Sequence, residues 1–498
     1  MIGAPSLPAD KTCPPPPGGS AAAAALALTR IAAIWKIIEV FGLAVFLVVV
    51  PPMMGPARYG QFAALVSMLT LLTATSGLGG LASFGRFLPE FEIAGRAEDA
   101  RALFVQMFWT RTAVATVLAL GLLLLLPSMA PGLSPWGVSV AVASFLTASA
   151  ATTCFQVFYG LRRFGRWSCQ EALTRIVLIL ALLLFGGGSS LDRAAVALLV
   201  TNVGFLILGL FWTRELFAGE RTPFRVAPLL AVLKFGMAIF VANLLLIIIW
   251  RLGEPAIMLL SRRPSEAAFF NVANAIVTAV GFLIMQGAVM LTPLLTPLYV
   301  SRAEKSLETA LGVSLKYLTI AAVIAILLTY ASSEWIFIAV LGSSYAAAAV
   351  NMKILVLGLP GISLVALGTT EAMVRQRLGR ALAINAGSLT VFAISAWLLT
   401  PRAAGPGVSA AVTLSMLTAG TLYAWDLRPV LQAARFGRQL LLGALGLLTI
   451  TWLPLPFPLS PIAAVGVFLG LLFLSGVIHH GEWSRIVAGL RGVNRASE

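Results

Sequence analysis

Residues 60–84 read GQFAALVSMLTLLTATSGLGGLASF, a run without one charged side chain. About 20 apolar residues in a helix cross the roughly 30 Å hydrocarbon layer of a bilayer. This run is long enough, and it is apolar throughout rather than alternating, so a spanning β-strand is excluded. Arg58 stands before it and Arg86 after it. Residues 112–161 repeat the pattern, interrupted only by a polar turn near Pro127–Pro135. Working outward gives fourteen apolar segments: 31–50, 60–84, 104–126, 136–160, 174–190, 194–213, 236–260, 267–298, 315–333, 345–374, 381–400, 406–426, 439–455 and 461–478. The chain is 59% apolar and 11% charged, too few charges to cover a soluble surface. The predicted fold class is all-α: a polytopic membrane protein of about fourteen transmembrane helices.

The gaps between segments are unequal. Of the 34 Lys and Arg residues, twenty-five fall in every second gap or its flanks, five in the other gaps and four within segments. One set of gaps holds Arg86, Arg96 and Arg101, then Arg162, Arg163 and Arg166, then Arg214, Arg221, Arg225 and Lys234. It continues through Arg302, Lys305, Arg375, Arg377, Arg380, Arg428, Arg435 and Arg438 to Arg485, Arg491 and Arg495. The other set holds Arg58, Arg193, Arg262, Arg263 and Arg402. Loops rich in Lys and Arg stay cytoplasmic. The expectation is a multi-pass protein of the cell inner membrane with both termini cytoplasmic. Topology and anionic headgroups account for the net charge of +15, so nucleic acid is not an expected partner.

The inventory narrows the chemistry. The longest gap, about 214–235, leaves no room for a soluble catalytic domain, and no phosphate-binding GxxxxGK[ST] loop is present. The only histidines, His479 and His480, lie at the end, and the cysteines Cys13, Cys154 and Cys169 are widely spaced, so neither a metal centre nor a disulfide framework is expected. No cofactor and no enzyme activity are predicted. Ser76-Gly77-Leu78-Gly79-Gly80-Leu81-Ala82-Ser83-Phe84-Gly85 ends an apolar segment without following a strand, and reads as a close helix–helix contact. Pro293, Pro297 and Pro360–Gly361 interrupt spans, as in the broken helices that line transport cavities.

Ionisable residues inside a bilayer face a cavity or each other. Lys36, Arg111, Arg251 and Lys353 lie within spans, and Glu39, Glu254 and Glu371 are the deepest acids. Trp35-Lys36-Ile37-Ile38-Glu39 and Trp250-Arg251-Leu252-Gly253-Glu254 share a pattern six spans apart, which points to a duplication. In each, the base and the Glu at i, i+3 share one helix face. Glu371 is expected to pair with Arg375 at i, i+4.

Several stretches resemble one family. Gly55-Pro56-Ala57-Arg58-Tyr59-Gly60 is similar to its turn between spans 1 and 2, and Gly77-Leu78-Gly79 with Arg86-Phe87-Leu88-Pro89-Glu90-Phe91 to its signature after span 2. Glu254 with Phe269-Phe270-Asn271-Val272-Ala273 resembles a third landmark, with Glu for the usual Asp and two Phe for Gly and Tyr. Leu341-Gly342-Ser343-Ser344-Tyr345, Gly379-Arg380 and Asn385 resemble the later ones. The family is the polysaccharide (O-antigen type) flippases, in a superfamily that also holds multidrug exporters and lipid II flippases. The resemblance spans about residues 30–430.

It implies two six-helix lobes around a central cavity, plus two C-terminal helices. The domains would be a disordered cytoplasmic tail 1–30, an N-lobe 31–215, a C-lobe 235–426, two extra spans in 439–478 and a cytoplasmic tail 479–498. It implies a secondary transporter that flips undecaprenyl-pyrophosphate-linked oligosaccharide to the periplasmic leaflet. Its partners would be that substrate, membrane lipids, a polysaccharide polymerase and a chain-length regulator. Arg251, Lys353, Lys36 and Arg111 are then candidates for contacting the diphosphate, and Glu39 and Glu254 for coupling to an ion. The rivals are a multidrug exporter or lipid II flippase of the same superfamily and, in another class, a membrane-embedded polymerase or glycosyltransferase. The last would be expected to carry a long outer loop, and here the outer loops are short.

Overall fold

The computed structural model describes residues 20–218, 226–289, 301–375, 377–452 and 457–477, together with 291, 295, 298 and 299. Residues 1–19 of the expected disordered tail 1–30, the expected tail 479–498, and Pro293 and Pro297 lie outside the described residues, while residues 20–30 are helical and not disordered as expected. Among the described residues the chain is helical, without strands. In chain order the helices are α1 (Ser20–Met54), α2 (Pro56–Thr75), α3 (Gly80–Ile93), α4 (Ala97–Met129), α5 (Pro135–Gly160) and α6 (Phe164–Leu184). Then come α7 (Leu191–Phe217), α8 (Val226–Arg251), α9 (Gly253–Leu260), α10 (Pro264–Val289), α11 (Glu304–Leu341) and α12 (Ala348–Val356). The last are α13 (Leu359–Val374), α14 (Leu378–Asp426), α15 (Arg428–Ala433), α16 (Phe436–Trp452) and α17 (Leu459–Leu474).

Nine stretches are long and apolar enough to cross a membrane, and two bent pairs add two more. The pairs are Phe240–Arg251 with Gly253–Leu260, bent 51°, and Ala348–Val356 with Leu359–Val374, bent 45°. α14 runs 49 residues only on paper: Ala404, at φ 46° and ψ −114° between Pro401 and Pro406, turns the chain back. Ser388 therefore meets Ser415 at 2.8 Å, so this element is two antiparallel spans. The shorter apolar helices Phe436–Ile450 and Leu459–Leu474 fall on the last two expected segments.

Boundaries differ from expectation where charge and helix overlap. α1 begins at Ser20, because the alanine run after it has the highest helix propensity of any residue type. α6 begins at Phe164 rather than 174, and α11 at Glu304 rather than 315. In both, the helix continues through the basic interface, where Lys and Arg reach water along their own stems.

Helices of the first half pack on one another, with α5 against α7 and α4, and α1 against α6. In the second half α13 packs on α14 and α10 on α12. Water gives no drive for association inside lipid, so close backbone approach matters. A Cβ on Gly361 would lie 2.5 Å from the Met416 carbonyl oxygen, and one on Gly420 2.7 Å from the Gly361 Cα. A seam joins the halves: α2 on α10 and α9, and α3 on α8. We call the end with the basic loops the basic end, and the other the sparse end.

Candidate functional site

At the sparse end, three of the family-like stretches meet. Gly55, at φ 71°, turns the chain from α1 into α2 and sets Tyr59 one turn in. The Tyr59 hydroxyl donates to Asn271 Oδ1 on α10 at 2.7 Å. Asn271 Nδ2 donates in turn to Glu254 Oε1 on α9 at 2.6 Å. Tyr345, in the turn after α11, donates to the Pro51 carbonyl at 2.8 Å and packs edge-on against Phe269, ring centroids 5.9 Å apart. Gly60 lies against the backbone at Pro264, where a Cβ would be 1.7 Å from the carbonyl oxygen. The sparse end of the seam is thus closed.

Glu254 is 1% exposed, and its Oε2 has no hydrogen-bond partner among the described residues. An unpaired buried carboxylate oxygen is expensive. A proton or a cation there would relieve the cost.

Below this closure lies a ladder of charge. Lys36 Nζ bonds Glu39 Oε2 at 2.7 Å, as i, i+3 on α1 allows, and sits over the Phe282 ring of α10 at 4.1 Å. The other Glu39 oxygen, Oε1, lies 3.8 Å from Arg175 Nη1 on α6. Arg175 is within electrostatic range of Glu171, Arg251 and Tyr59. Glu171 also feels Glu39 and Lys36. Arg251 ends α8 and interacts with Glu254, but its guanidinium makes no hydrogen bond among the described residues. The helix breaks at Leu252, so the second Trp–base–Glu motif does not close its i, i+3 pair as the first does. From Lys36 through Glu39, Arg175 and Arg251 to Glu254, the seam carries charge from the basic half toward the sparse end. Lys36, Glu39 and Arg175 keep 35%, 21% and 31% of their side chains open.

The other two basic candidates are placed elsewhere. Arg111 is 1% exposed inside the first half. It donates to the Ser76 carbonyl at 3.3 Å and to Gln156 Oε1 at 2.6 Å. It thereby clamps the break between α2 and α3, where Gly79 turns at φ 71°. A Cβ on Gly80 would be 3.2 Å from its Nη1. Lys353 bonds Glu334 Oε1 at 2.6 Å, and Glu334 is 69% exposed. Neither residue makes a hydrogen bond or ion pair with the ladder among the described residues. The Glu371–Arg375 pair forms as expected, at 2.6 Å, and Arg375 also reaches Glu304 at 2.9 Å. Gly79 does pack as the glycine-rich stretch suggested: its Cβ would fall 2.7 Å from the Gly236 backbone, closing the seam toward the basic end.

The sequence reading missed Arg175 and Glu171. Glu171 stands before the apolar run set at 174 and Arg175 is its second residue, so both were read with the charges of the flanking loop. Only the ten additional residues of α6 carry them into the span. Among the described residues no cluster of three or more His, Cys, Asp or Glu could hold a metal.

The fold has solved counterparts. The lipid II flippase MurJ, in an inward closed conformation, aligns with a TM-score of 0.68 at 11% identity, over 90% of this chain and 100% of that one. The fold is that of MurJ and the MATE transporters. An inward-facing MATE-family multidrug resistance transporter aligns at 0.60 and 16% identity, over 81% and 95%. A mutant of the Vibrio cholerae MATE transporter VcmN aligns at 0.54 and 13%, over 82% and 98%. No family model and no curated protein matches the sequence. The likeness therefore establishes architecture: a multi-pass helical membrane protein of the type that these transporters share.

Proposed function

We propose that this protein is a flippase for undecaprenyl-pyrophosphate-linked oligosaccharide, moving it from the cytoplasmic to the periplasmic leaflet of the inner membrane for surface polysaccharide synthesis. The observation that carries this reading is the Lys36–Arg175–Arg251 ladder in the seam of a transporter fold. Guanidinium and ammonium groups bind phosphate through charge-assisted hydrogen bonds, which strengthen in a low dielectric. A diphosphate headgroup fits that chemistry, while its lipid tail stays in the bilayer and only the polar part enters the seam.

Glu254 is the better of the two ion-coupling candidates. Its free Oε2 is poised to take a proton or a sodium ion, whereas both oxygens of Glu39 face cations. Asn271 and Tyr59 connect Glu254 to the sparse-end closure. Occupancy of Glu254 would then bias opening, since a ligand shifts an equilibrium by its differential affinity for the two states.

A second reading, a lipid II flippase, is favoured by the match to MurJ over its full length. It needs the same headgroup chemistry and differs in the sugar.

The test is surface polysaccharide in a deletion strain complemented with wild type, Arg251→Ala or Arg175→Ala. Lipid-linked repeat units should accumulate on the cytoplasmic face, with rescue by wild type and with each stably inserted variant at least ten-fold impaired. Normal polysaccharide in the deletion strain would overturn the proposal. Arrest of cell-wall synthesis instead would select the second reading.

A further inference from the structure

We propose that Glu39 is a selectivity residue. It serves as an internal counter-anion that keeps Lys36 and Arg175 from singly charged phospholipid headgroups and yields them to a diphosphate. This rests on the reading that the ladder binds a diphosphate headgroup.

A cationic site that opens to a bilayer faces a competition problem. Anionic phospholipids such as phosphatidylglycerol present one negative charge per headgroup and far outnumber any lipid-linked sugar. Bare Lys and Arg side chains at the seam would fill with them. In this structure they are not bare. One carboxylate holds both, with Oε2 at 2.7 Å from Lys36 Nζ and Oε1 at 3.8 Å from Arg175 Nη1. The two cations stand on different helices, α1 and α6, so Glu39 is a bridge rather than one half of a local pair. On its other side Lys36 is covered by the Phe282 ring at 4.1 Å.

The exchange can be compared for the two headgroups. A phosphodiester with one charge would replace one carboxylate by one phosphate. It would gain little, and it would leave Glu39 facing an anion in a low dielectric. A diphosphate diester brings two charges. It can engage Lys36 and Arg175 together and extend to Arg251, which lies within electrostatic range of Arg175 and has no hydrogen bond of its own among the described residues. The groups around the bridge balance it closely. Glu171 lies one turn before Arg175 on α6 and within range of Lys36, and Glu254 answers Arg251 from α9. Three cations and three carboxylates leave the empty ladder near neutral, and a near-neutral ladder rejects weak anions. Selectivity here comes from an element that opposes the wrong ligand, not only from attraction to the right one.

The experiment measures binding of two probes, undecaprenyl pyrophosphate and phosphatidylglycerol, to the full-length protein by native mass spectrometry. Wild type should prefer the diphosphate by at least ten-fold. Glu39→Gln, isosteric and uncharged, should bind phosphatidylglycerol at least ten-fold more tightly and lose most of that preference. Glu39→Asp, checked for an unchanged melting temperature, should retain it. A Glu39→Gln variant with wild-type selectivity overturns the inference but leaves the flippase reading standing. Equal weakening for both lipids overturns it too, and makes Glu39 a residue that only positions the cations. Wild type that binds undecaprenyl pyrophosphate no better than Lys36→Gln or Arg175→Gln overturns the diphosphate reading itself.

Discussion

Arg111 shows how far a single residue can be read from its place in a sequence. A guanidinium in the middle of an apolar run is conspicuous, and its type suggested an anion ligand. Which way the side chain points depends on the rotation of α4, which an apolar run on all sides does not reveal. The structure turns it inward, onto the Ser76 carbonyl and Gln156 at the α2–α3 break. Losing a charged donor there strands a buried carbonyl and a half-buried amide oxygen. Arg111→Leu should therefore cost roughly 2–3 kcal/mol of stability, seen as a lower melting temperature in detergent. The affinity of the remaining folded protein for undecaprenyl pyrophosphate should be unchanged. Arg175 failed in the opposite direction. It was passed over because, as the second residue of a run set at 174, it reads as an interfacial charge until the ten earlier residues of α6 are known. Lys36 and Glu39 were legible because their i, i+3 spacing needs no tertiary information.

At the scale of elements, glycine decides how the two halves meet. Gly60 on α2 touches the backbone at the start of α10, near the sparse end, and Gly79 after α2 touches Gly236 on α8, toward the basic end. A methyl group at either place is a wedge on one side of the seam only. Gly60→Ala should favour the conformation opened at the sparse end, and Gly236→Ala the one opened at the basic end. Spin labels at Ala57 and Arg263 would read this as a longer distance in the first variant and no increase in the second. Broken helices were legible at Pro360–Gly361, where the bend is 45°. The 51° break at Leu252 carries the same kind of signal, which the sequence reading passed over: Pro255 has no N–H to give the Arg251 carbonyl four residues back, and its ring crowds that oxygen. A Cβ on Gly253 would collide with the Phe270 ring of α10 at 2.3 Å, so that glycine answers to packing within the second half, which no single segment discloses.

For the whole molecule, the charge asymmetry of the loops makes a direct prediction. Green fluorescent protein fused after the C-terminus should fluoresce, and alkaline phosphatase inserted after Arg402 should be active, because only the second site would face the periplasm. The reverse pattern would invert the assignment of the two ends. The number of spans was readable because hydrocarbon imposes one length on every crossing. Their arrangement depends on small-residue contacts such as Gly361 with Met416, between positions remote in sequence. The Gly60–Pro264 contact has one more consequence, for permeability. A space too small for a methyl carbon, 1.7 Å from a carbonyl oxygen, cannot hold a water, whose oxygen needs about 2.7–2.8 Å to its neighbour. At that level of the seam no file of water can form between α2 and α10, and a proton has nothing to hop along. Backbone-to-backbone closure is thus a barrier to water and to protons at that level of the seam.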